Sequence, residues 1–549
     1  MIDTLYTNGD KNDFYLGMIS QVYKNSSVVQ VENLSWLKFR KIRKELLIPN
    51  TINFLVVIES TLGIFLGEVY QSKLPNSDSV HNALLKNDSE KIYPEISLDI
   101  IGVMSNNSNK FKLSGFSTVG LTDKVYIANK KIIDIYLNSI ELKETQETKL
   151  TSFAKFSNML SEEVALRPST LFDRHIMAVG TTNSGKSTSS LSILDKLIHN
   201  NKKVLIIDPT GEYSASFDDN ANIEKLELGI DTILDTGRLS FGQWATLFET
   251  NDSTQPAVLA DAIKSLRFQK KNNIENVYIK AGKTPEEVSR DMSSLEPLDT
   301  SFNLQLLSQQ IVEEAVELDR NMTRYTSGSF QFNQKQWLVQ KVEYKLSNTR
   351  LSEFFSPKTD ENSDLIKKSD LIKKSDLIKK IDNFINNSIH SLYINTSSIG
   401  TSDSIGGMII DLISNHIVNL KEKDDIAFVM FIDEVHRYSK HRQDNNYQTG
   451  LTSIAREGRK KGIFLFLTTQ NPQDVPKELL GQIGTLLIHR LTHQNELEAI
   501  KNHVSEQSYR QITKLNQGEA ILSSINLVRD LHLEMIKSNR THANSTTLL

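Results

Sequence analysis

The segment at residues 180–187, GTTNSGKS, has the residue types and spacing that hold a chain of phosphates. It fits the pattern G-x-x-x-x-G-K-[ST], follows the apolar run 176–179 and precedes a helical pattern. In such a loop, successive backbone N–H groups and the N-terminus of the next helix face phosphate oxygens. Lys186 is expected to neutralise the β- and γ-phosphates, and Ser187 to offer its hydroxyl to Mg²⁺.

The loop therefore predicts a binding site for ATP and Mg²⁺. Asn183 stands where glycine is common in related loops, but asparagine adopts a left-handed conformation more readily than most residues, so the loop is expected to tolerate it. The predicted nucleotide-binding residues are Gly180, Thr181, Thr182, Asn183, Ser184, Gly185, Lys186, Ser187 and Thr188.

Two adjacent carboxylates, Asp433 and Glu434, end the apolar run 426–432. The carboxyl edge of a parallel sheet is where α/β proteins place their ligands. Asp433 can there hold Mg²⁺ through water, together with Ser187, and Glu434 can polarise the attacking water. The alternative is a helix N-cap followed by an acidic first turn, and the phosphate-binding loop favours the catalytic interpretation.

Two further strand ends carry polar groups with a less specific pattern. The segment DPTGEY at 208–213 places Asp208 and Glu212 at the ligand edge, but a Pro-x-Gly turn with acids is equally ordinary turn chemistry. Gln470 follows the predicted strand 463–469, where its amide can sense the γ-phosphate or align water. A strand-end glutamine in a loop is the alternative.

Arginine is the side chain that best stabilises charge developing on a transferred phosphoryl group. The candidates are Arg174, before the loop's strand, and Arg456 and Arg459 in the run REGRKKG at 456–462. That run also suits a helix C-terminus capped by Gly462, with the basic residues favoured by the helix dipole.

The elements that must position these residues are those of an α/β protein. Residues 174–208 read as strand, loop, helix and strand, which predicts a parallel sheet with a right-handed crossover. Residues 14–150 alternate in short runs that suggest a small barrel, and 240–350 have helical spacing. A hexad repeat, SDLIKK, occupies 363–380, and its period of six gives no constant helix face, so a solvated helix or linker is expected.

Composition excludes several classes of function. The chain of 549 residues has no cysteine, which excludes disulfides, thiol catalysis and Cys-based zinc sites. A formal net charge of -4 gives no global basic field, although a local basic pore would escape this count. No apolar run is long enough to span a membrane and no leader pattern is seen, so a cytoplasmic location without membrane contact is expected.

Taken together, the motifs at 180–188, 208–213, 431–438, 456–462 and 468–485 resemble the HerA branch of the HerA/FtsK ATPases. The resemblance is close over about 170–235 and 390–525. It implies a RecA-like P-loop NTPase core with an inserted helical bundle, preceded by a small N-terminal β-barrel. It further implies a homohexameric ring with ATP between subunits and double-stranded DNA threaded through the pore.

The resemblance also assigns roles and domains. Carried over by position, the catalytic residues are Glu434, Gln470, Arg174 and Arg459, with one arginine acting across the subunit boundary, and the metal residues are Ser187 and Asp433. Thr210 departs from the histidine frequent in the family, and the SDLIKK repeats have no counterpart. The expected domains are 1–150 for the barrel, 151–240 with 385–535 for the ATPase core, 241–384 for the helical insertion and 536–549 for a polar tail.

Three functions fit this pattern. The first is an ATP-driven DNA translocase or helicase working with a nuclease. The second is a ring scaffold that assembles and regulates an effector, a nuclease or a sirtuin-type NADase. The third is a conjugation or packaging ATPase that pumps DNA. Since the chain shows no nuclease or NAD motif of its own, we expect a partner effector, and the low-complexity repeat favours bacterial antiphage defence over housekeeping repair.

Overall fold

The structure is a computed structural model, and its contacts divide the chain into two units. The first unit comprises Met1–Asp173, Lys501–Leu515 and Glu519–Ile536, and the second comprises Arg174–Ile500, Asn516–Gly518 and Lys537–Leu549. The structure describes residues 2–541 apart from 7–9, 24–25, 38–39, 43–44, 49–51, 53, 144, 158–161, 219–221, 252–253, 356–373, 387–388, 400–402 and 439–448.

The N-terminal part of the first unit contains the predicted barrel. Its strands close in the order β1-β2-β7-β6-β5-β8, and every neighbouring pair is antiparallel. The strands of this part of the chain, of which the six in that order form the barrel, are β1 Tyr15–Val22, β2 Ser27–Val31, β3 Arg40–Ile42, β4 Glu45–Ile48, β5 Leu55–Ser60, β6 Gly63–Lys73, β7 Glu95–Met104, β8 Lys124–Ile127, β9 Ala154–Phe156 and β10 Glu163–Val164. The helices are α1 Asp10–Phe14, α2 Asp78–Leu85, α3 Lys130–Ser139 and α4 Pro168–Phe172.

Gly63 begins β6, directly after the tight turn that joins β5 to β6. Gly63 has a φ of +139°, and a Cβ there would lie 2.5 Å from the carbonyl oxygen of Met104 on β7. A side chain at this position would therefore be strained and would also collide with the neighbouring strand.

The second unit is built on a parallel sheet in the order β21-β11-β20-β19-β12-β18-β13. Its strands are β11 His175–Val179, β12 Lys203–Asp208, β13 Ile223–Glu227, β14 Thr232–Ile233, β15 Val316–Leu318, β16 Tyr325–Ser327, β17 Ser375–Asp376, β18 Ser391–Asn395, β19 Phe428–Ile432, β20 Ile463–Thr469 and β21 Ile483–Ile488. Its helices are α5 Lys186–His199, α6 Phe241–Leu247, α7 Gln255–Lys271, α8 Pro285–Ser293, α9 Leu307–Glu313, α10 Ser329–Leu346, α11 Thr349–Phe354, α12 Leu377–Asn386, α13 Asp403–Leu420, α14 Gly450–Glu457, α15 Lys477–Leu480 and α16 Gln494–Ile500.

The predicted parallel α/β arrangement is thus confirmed, and the central strands are apolar throughout. Every residue of β11, β12 and β19 is buried, as expected for strands covered on both faces. β19 begins at Phe428, two residues later than predicted, because Ile426 is exposed and precedes the sheet.

Helices α6 to α12 form the helical insertion between β13 and β18. The helical spacing predicted for 240–350 is confirmed on α7, where Leu259, Ala262, Ile263 and Leu266 are buried and Val258 is half-buried. An aromatic cluster anchors the insertion, with the Trp244 ring 5.1 Å from Phe355 and 5.4 Å from Phe302 between centroids. Two small two-stranded sheets, β14–β17 and β15–β16, complete it.

The third SDLIKK copy differs from the solvated segment expected. It forms β17 and the start of α12, where Leu377 and Ile378 are buried. The residues after the repeat supply the rest of an apolar face, at Ile381, Phe384 and Ile385. The first copy and all but the last residue of the second lie outside the described residues, as does the expected tail beyond 541.

The chain returns to the first unit at its end, with α17 Glu506–Gln511, β22 Glu519–Ser524 and β23 Leu531–Met535. β22 begins directly after Gly518. Together with earlier strands of this unit, these form an antiparallel order β10-β9-β23-β22. Of the helices that the structure describes, none combines the length and apolar content that a membrane crossing needs.

Candidate active site

The phosphate-binding loop joins β11 to α5 and has the predicted backbone. Asn183 has a φ of 64° and Gly185 a φ of 103°, so the left-handed conformation expected of Asn183 is confirmed. The Ser184 hydroxyl donates to the carbonyl oxygen of Thr181 at 2.7 Å, which tightens the turn. α5 begins at Lys186, and its unpaired N-terminal amides therefore lie at the loop.

Lys186, Glu434 and Gln470 meet at the carboxyl edge of the sheet. The Lys186 ammonium lies 2.5 Å from Glu434 Oε1; the lysine side chain is buried and the glutamate side chain is partly buried. Gln470 Nε2 donates to the same carboxylate oxygen at 2.6 Å, and Thr182 Oγ1 donates to Gln470 Oε1 at 2.7 Å. The ends of β19 and β20 and the loop after β11 are thereby joined in one hydrogen-bonded chain.

Asp433 and Glu434 have opposite ionisation tendencies. Burial raises the pKa of Asp433 to about 7. For Glu434, burial also opposes ionisation, but the charge of Lys186 and its hydrogen bond outweigh burial and hold the pKa below its ordinary value. Glu434 is therefore a carboxylate at neutral pH, as a general base must be.

Thr468 holds the two acids in place, and it was not among the predicted site residues. Its hydroxyl donates to Asp433 Oδ1 and accepts from the Glu434 backbone N–H at 2.9 Å. Glu434 has a φ of 49°, a left-handed conformation that is uncommon for glutamate. This strand-end strain turns the Glu434 side chain toward the loop.

The segment at 208–213 forms a loop built around Asp208. Its Oδ1 accepts from the backbone N–H groups of Thr210 and Gly211, at 3.1 and 2.7 Å. Its Oδ2 accepts from the Tyr213 N–H at 2.9 Å and from the Tyr393 hydroxyl at 2.8 Å. Asp208 is fully buried and acts as a structural organiser of this loop, so turn chemistry is its role.

Glu212 and Tyr213, on the same loop, border the site. Burial, followed by the charges of Asp208 and Glu434, raises the pKa of Glu212. The buried Tyr213 hydroxyl lies beside Ser187 and within electrostatic reach of Asp433. Sequence reasoning left Glu212 undecided and missed Tyr213, because nothing in a turn motif shows which side of the loop faces the phosphates.

Ser187 and Asp433 form a donor set that fits Mg²⁺. Within the described ranges, no group of three or more His, Asp or Glu side chains is arranged to hold a metal ion. Mg²⁺ at phosphate sites needs few protein oxygens, because water and substrate phosphates supply the rest. One hydroxyl and one carboxylate around Tyr213 match that requirement.

The predicted arginines lie at the opposite edge of the sheet. Arg174 precedes β11 and Arg459 precedes β20, so both stand at the amino ends of strands whose carboxyl ends carry the loop and Gln470. β11 has five residues, and a strand of this length separates its two ends by roughly 15 Å. Arg456 also lies at this end and is exposed.

The structure brings Arg459 close to His175, whose pKa it helps to lower, and packs Arg174 over Gly484. Both arginine side chains are exposed. The residues that the structure collects at one site are therefore the loop, Asp433, Glu434 and Gln470, while Arg174 and Arg459 form a second, cationic edge.

Two residues beside the loop were not anticipated. The carbonyl oxygen of Arg490 accepts from the Thr181 N–H at 3.0 Å, which places this exposed arginine beside the loop in the same chain. His436 Nδ1 lies 3.3 Å from Glu434 Oε2 and 3.1 Å from Thr469 Oγ1. Neither position has a spacing or residue pattern that would have distinguished it in the sequence.

Curated relatives of the chain are archaeal helicases. A probable helicase of Methanocaldococcus jannaschii is 35% identical over 96 residues, 17% of this chain and 19% of the relative. The DNA double-strand break repair helicase HerA of Sulfolobus acidocaldarius is 27% identical over 371 residues, 66% of this chain and 64% of the relative. The chain thus spans less than two thirds of either protein's length.

Among solved structures, VirB4 of Thermoanaerobacter pseudethanolicus is 13% identical with a TM-score of 0.45, covering 72% of this chain and 98% of VirB4. The plasmid coupling protein TrwB in complex with ADP and Mg²⁺ is 12% identical with a TM-score of 0.44, covering 73% and 98%.

Two family models match the sequence. The model of the HerA-like helicase C-terminal region matches residues 407–527. The model described as the central domain of helicase HerA matches residues 152–438, which is more than half of the 549 residues. The chain therefore belongs to the HerA helicase family.

Proposed function

We propose that this protein is a Mg²⁺-dependent ATPase of the HerA type, working as a homohexameric ring on double-stranded DNA. The observation that carries the proposal is the chain of contacts from Lys186 through Glu434 and Gln470 to Thr182. It joins a phosphate-binding cation, a carboxylate base and an amide at the end of the sheet where α/β proteins bind nucleotides.

In this proposal Glu434 changes partners when ATP binds. The γ-phosphate competes with Glu434 for Lys186, and the released carboxylate then accepts a proton from the attacking water. Gln470 remains within reach of both groups, since its amide nitrogen contacts Glu434 and its oxygen contacts the loop. Ser187 and Asp433 would hold Mg²⁺, which neutralises phosphate charge.

The arginine edge suggests how subunits cooperate. Arg174 and Arg459 are too far along the sheet to reach phosphates bound at Lys186 of their own chain. If they stabilise transition-state charge, they do so on a neighbouring subunit, and a ring supplies that neighbour by head-to-tail contact. This geometry supports a trans role for both arginines, whereas the family resemblance implies that role for one of them and leaves open which.

The DNA substrate and the partner are further parts of the proposal. Duplex DNA is supported by the relatives named as double-strand break repair helicases. A partner effector, a nuclease or a sirtuin-type NADase in antiphage defence, rests on the lack of a second catalytic motif in the sequence. A ring scaffold without processive translocation and a DNA-pumping ATPase remain the alternatives.

ATP hydrolysis with and without linear duplex DNA, measured beside the mass of the assembly in the same buffer, tests these statements. A hexamer whose turnover rises with DNA supports the translocase. A hexamer that hydrolyses ATP without regard to DNA supports the scaffold. Lys186→Ala should abolish turnover, whereas Lys196→Ala, on the same helix but away from the loop, should not. Normal turnover in Lys186→Ala would refute the site.

A further inference from the structure

The helical insertion contains a pocket that the ATPase site does not use. It has a volume of about 410 Å³, within the range typical of small-molecule sites, and lies between α7, α8 and the segment after α8. The residues lining it are Phe241, Lys264, Arg267, Ser289, Met292, Ser293, Leu295, Glu296, Pro297, Asp299 and Thr300. All of them belong to the second unit and lie far along the chain from the phosphate-binding loop.

Arg267 is the unusual member of this lining. Its Nε is buried and has no hydrogen-bond partner, and within the described part of the chain its guanidinium forms no ion pair. The residue as a whole is partly buried, and this burial lowers its pKa. Its guanidinium carbon lies over the Phe241 ring, 5.0 Å from the ring centroid. A partly buried cation without an ion pair can gain a partner from an external anion.

The carboxylates in the lining do not supply that anion, because Lys271 has engaged them. Its ammonium lies 2.7 Å from Asp299 and 3.5 Å from Glu296. Asp299 also accepts from the Glu296 N–H at 2.8 Å. Lys264, one turn before Arg267 on α7, is exposed at the pocket and adds a second positive charge. With Lys271, the group has three cations and two carboxylates and a formal charge of +1, and Lys264 and Arg267 are the two cations not paired with these carboxylates.

The remaining lining has two faces of different chemistry. The hydroxyls of Ser289 and Thr300 can donate to an anion, whereas the Ser293 hydroxyl donates to the Ser289 carbonyl oxygen at 2.7 Å. Two cations and two hydroxyls suit a phosphoryl group, which has three oxygens to accept from them. The side chains of Met292, Leu295 and Pro297, with the partly exposed Phe241 ring, form an apolar side suited to a planar or apolar body.

We propose that this pocket binds a small organic phosphate, with its phosphoryl group on Arg267 and Lys264 and its organic body against the apolar side around Phe241. The site is separate from the ATPase site, and the proposal does not depend on ATP hydrolysis. A ligand there would connect the helical insertion to a small-molecule signal.

Binding to the full-length protein by AMP, inorganic phosphate and adenosine tests the proposal, with calorimetry and ligand-observed NMR as readouts. We expect AMP to bind more tightly than phosphate, and adenosine to bind least. Arg267→Gln should weaken the binding of AMP and of phosphate at this site by about tenfold or more, the usual loss for a hydrogen bond to a charged group. AMP bound at the ATPase site would be unaffected by this change.

Arg290→Gln is the matched control, because Arg290 is exposed on α8 and is not part of the lining. Thermal unfolding without ligand separates ligand binding from a structural role, since Arg267→Gln should leave the melting temperature close to that of the wild type. In chains that also carry Lys186→Ala, so that the phosphate-binding loop does not contribute, phosphate should raise the melting temperature when Arg267 is intact and in Arg290→Gln, but not in Arg267→Gln. The proposal is overturned if Arg267→Gln destabilises the protein while ligand binding is unchanged, or if no Arg267-dependent binding occurs. Equal affinities for AMP and phosphate would overturn the part concerning the organic body.

Discussion

Glu434 is the residue on which the proposed chemistry depends most directly. Its carboxylate is held by Lys186 and Gln470, and its backbone is held by Thr468 in a strained conformation. The side-chain contacts and the backbone contact together fix the orientation of the Glu434 carboxylate. A negatively charged group that rests on the phosphate-binding lysine also competes with the nucleotide for that lysine.

Glu434→Gln is therefore expected to separate binding from hydrolysis. Turnover should fall by at least about 100-fold, because the amide cannot accept a proton from water. ADP affinity should be equal or greater, because the neutral side chain no longer competes for Lys186. Steady-state turnover and titration with a fluorescent ADP measure both effects. Glu457→Gln, an exposed acid on α14, should change neither. Loss of ADP binding in Glu434→Gln would contradict the partner exchange.

At the scale of elements, His175 connects three parts of the second unit. It begins β11, its Nδ1 accepts from the Leu465 N–H on β20 at 3.0 Å, and its Nε2 faces the carbonyl oxygen of Ala455 on α14 at 3.0 Å. Burial, with the nearby charge of Arg459, lowers the pKa of His175 to about 4. The neutral imidazole is thus part of the packing between the sheet and α14.

This pKa predicts a loss of stability in acid. Below pH 6.5, the ordinary pKa of histidine, the unfolded chain binds a proton at His175. The folded protein binds this proton only near pH 4. The stability contributed by His175 is present above pH 6.5 and is lost as the pH falls toward 4. Between pH 7 and pH 5, this group should cost roughly 2 kcal/mol.

Chemical unfolding at the two pH values measures this contribution. His175→Gln should be less stable at pH 7, because it loses a buried contact, but it should lose about 2 kcal/mol less than the wild type on acidification. His493→Gln, which changes an exposed histidine, should retain the wild-type pH dependence. An unchanged pH dependence in His175→Gln would show that other groups control acid unfolding.

The loop at 208–213 gives a second prediction at this scale. The Tyr393 hydroxyl, on β18, is one of the donors that keep Asp208 buried. Tyr393→Phe should lower the free energy of unfolding by about 1.5–3 kcal/mol, the usual value for a hydrogen bond to a charged group. Because Glu212 and Tyr213 lie on the same loop and border the proposed site, ATP turnover should also fall. Equilibrium unfolding and ATPase assays test this, with the exposed Tyr344→Phe as control.

The sequence predicts a site residue when its residue type and spacing belong to a specific motif. Lys186 and Glu434 were predictable because a phosphate-binding loop and an acid pair each follow an apolar strand, and parallel strands bring such ends together. Thr468 was not, because threonine is an ordinary strand residue and its hydroxyl contacts depend on β19 and β20 lying side by side.

The third SDLIKK copy shows the same limit for a helix. The repeat alone has a period of six and presents no constant face. Its last copy becomes amphipathic only when joined to the residues after it, so that Leu377, Ile378, Ile381, Phe384 and Ile385 fall on one buried side. The repeat unit by itself therefore does not predict α12, which begins inside the last copy and ends beyond it.

At the scale of the whole molecule, the proposed active residues are divided between two edges of one sheet. The nucleotide edge carries Lys186, Glu434 and Gln470, and the amino edge carries Arg174 and Arg459. A single chain cannot bring these edges together, because the strands between them are rigid and buried. The proposed site is therefore complete only when the amino edge of one chain faces the nucleotide edge of another.

Mixed rings test this division. Rings made only of Glu434→Gln or only of Arg459→Ala should be inactive, but rings containing both variants should regain activity. In them, some sites combine an intact Glu434 from one chain with an intact Arg459 from the other. With random mixing in equal amounts, about a quarter of the sites in a head-to-tail ring are intact.

Co-expression with two affinity tags, tandem purification and measurement of turnover per ring provide the readout, and Arg174→Ala is tested in the same way. Rings that mix Glu434→Gln with Lys186→Ala are the control, since both defects lie on the nucleotide edge and leave no intact site in any arrangement. If mixed rings of Glu434→Gln and Arg459→Ala stay inactive, Arg459 acts within its own chain, which the length of β20 in this structure does not allow without a rearrangement of the sheet edge. If Arg459→Ala rings are active by themselves, the trans role passes to Arg174.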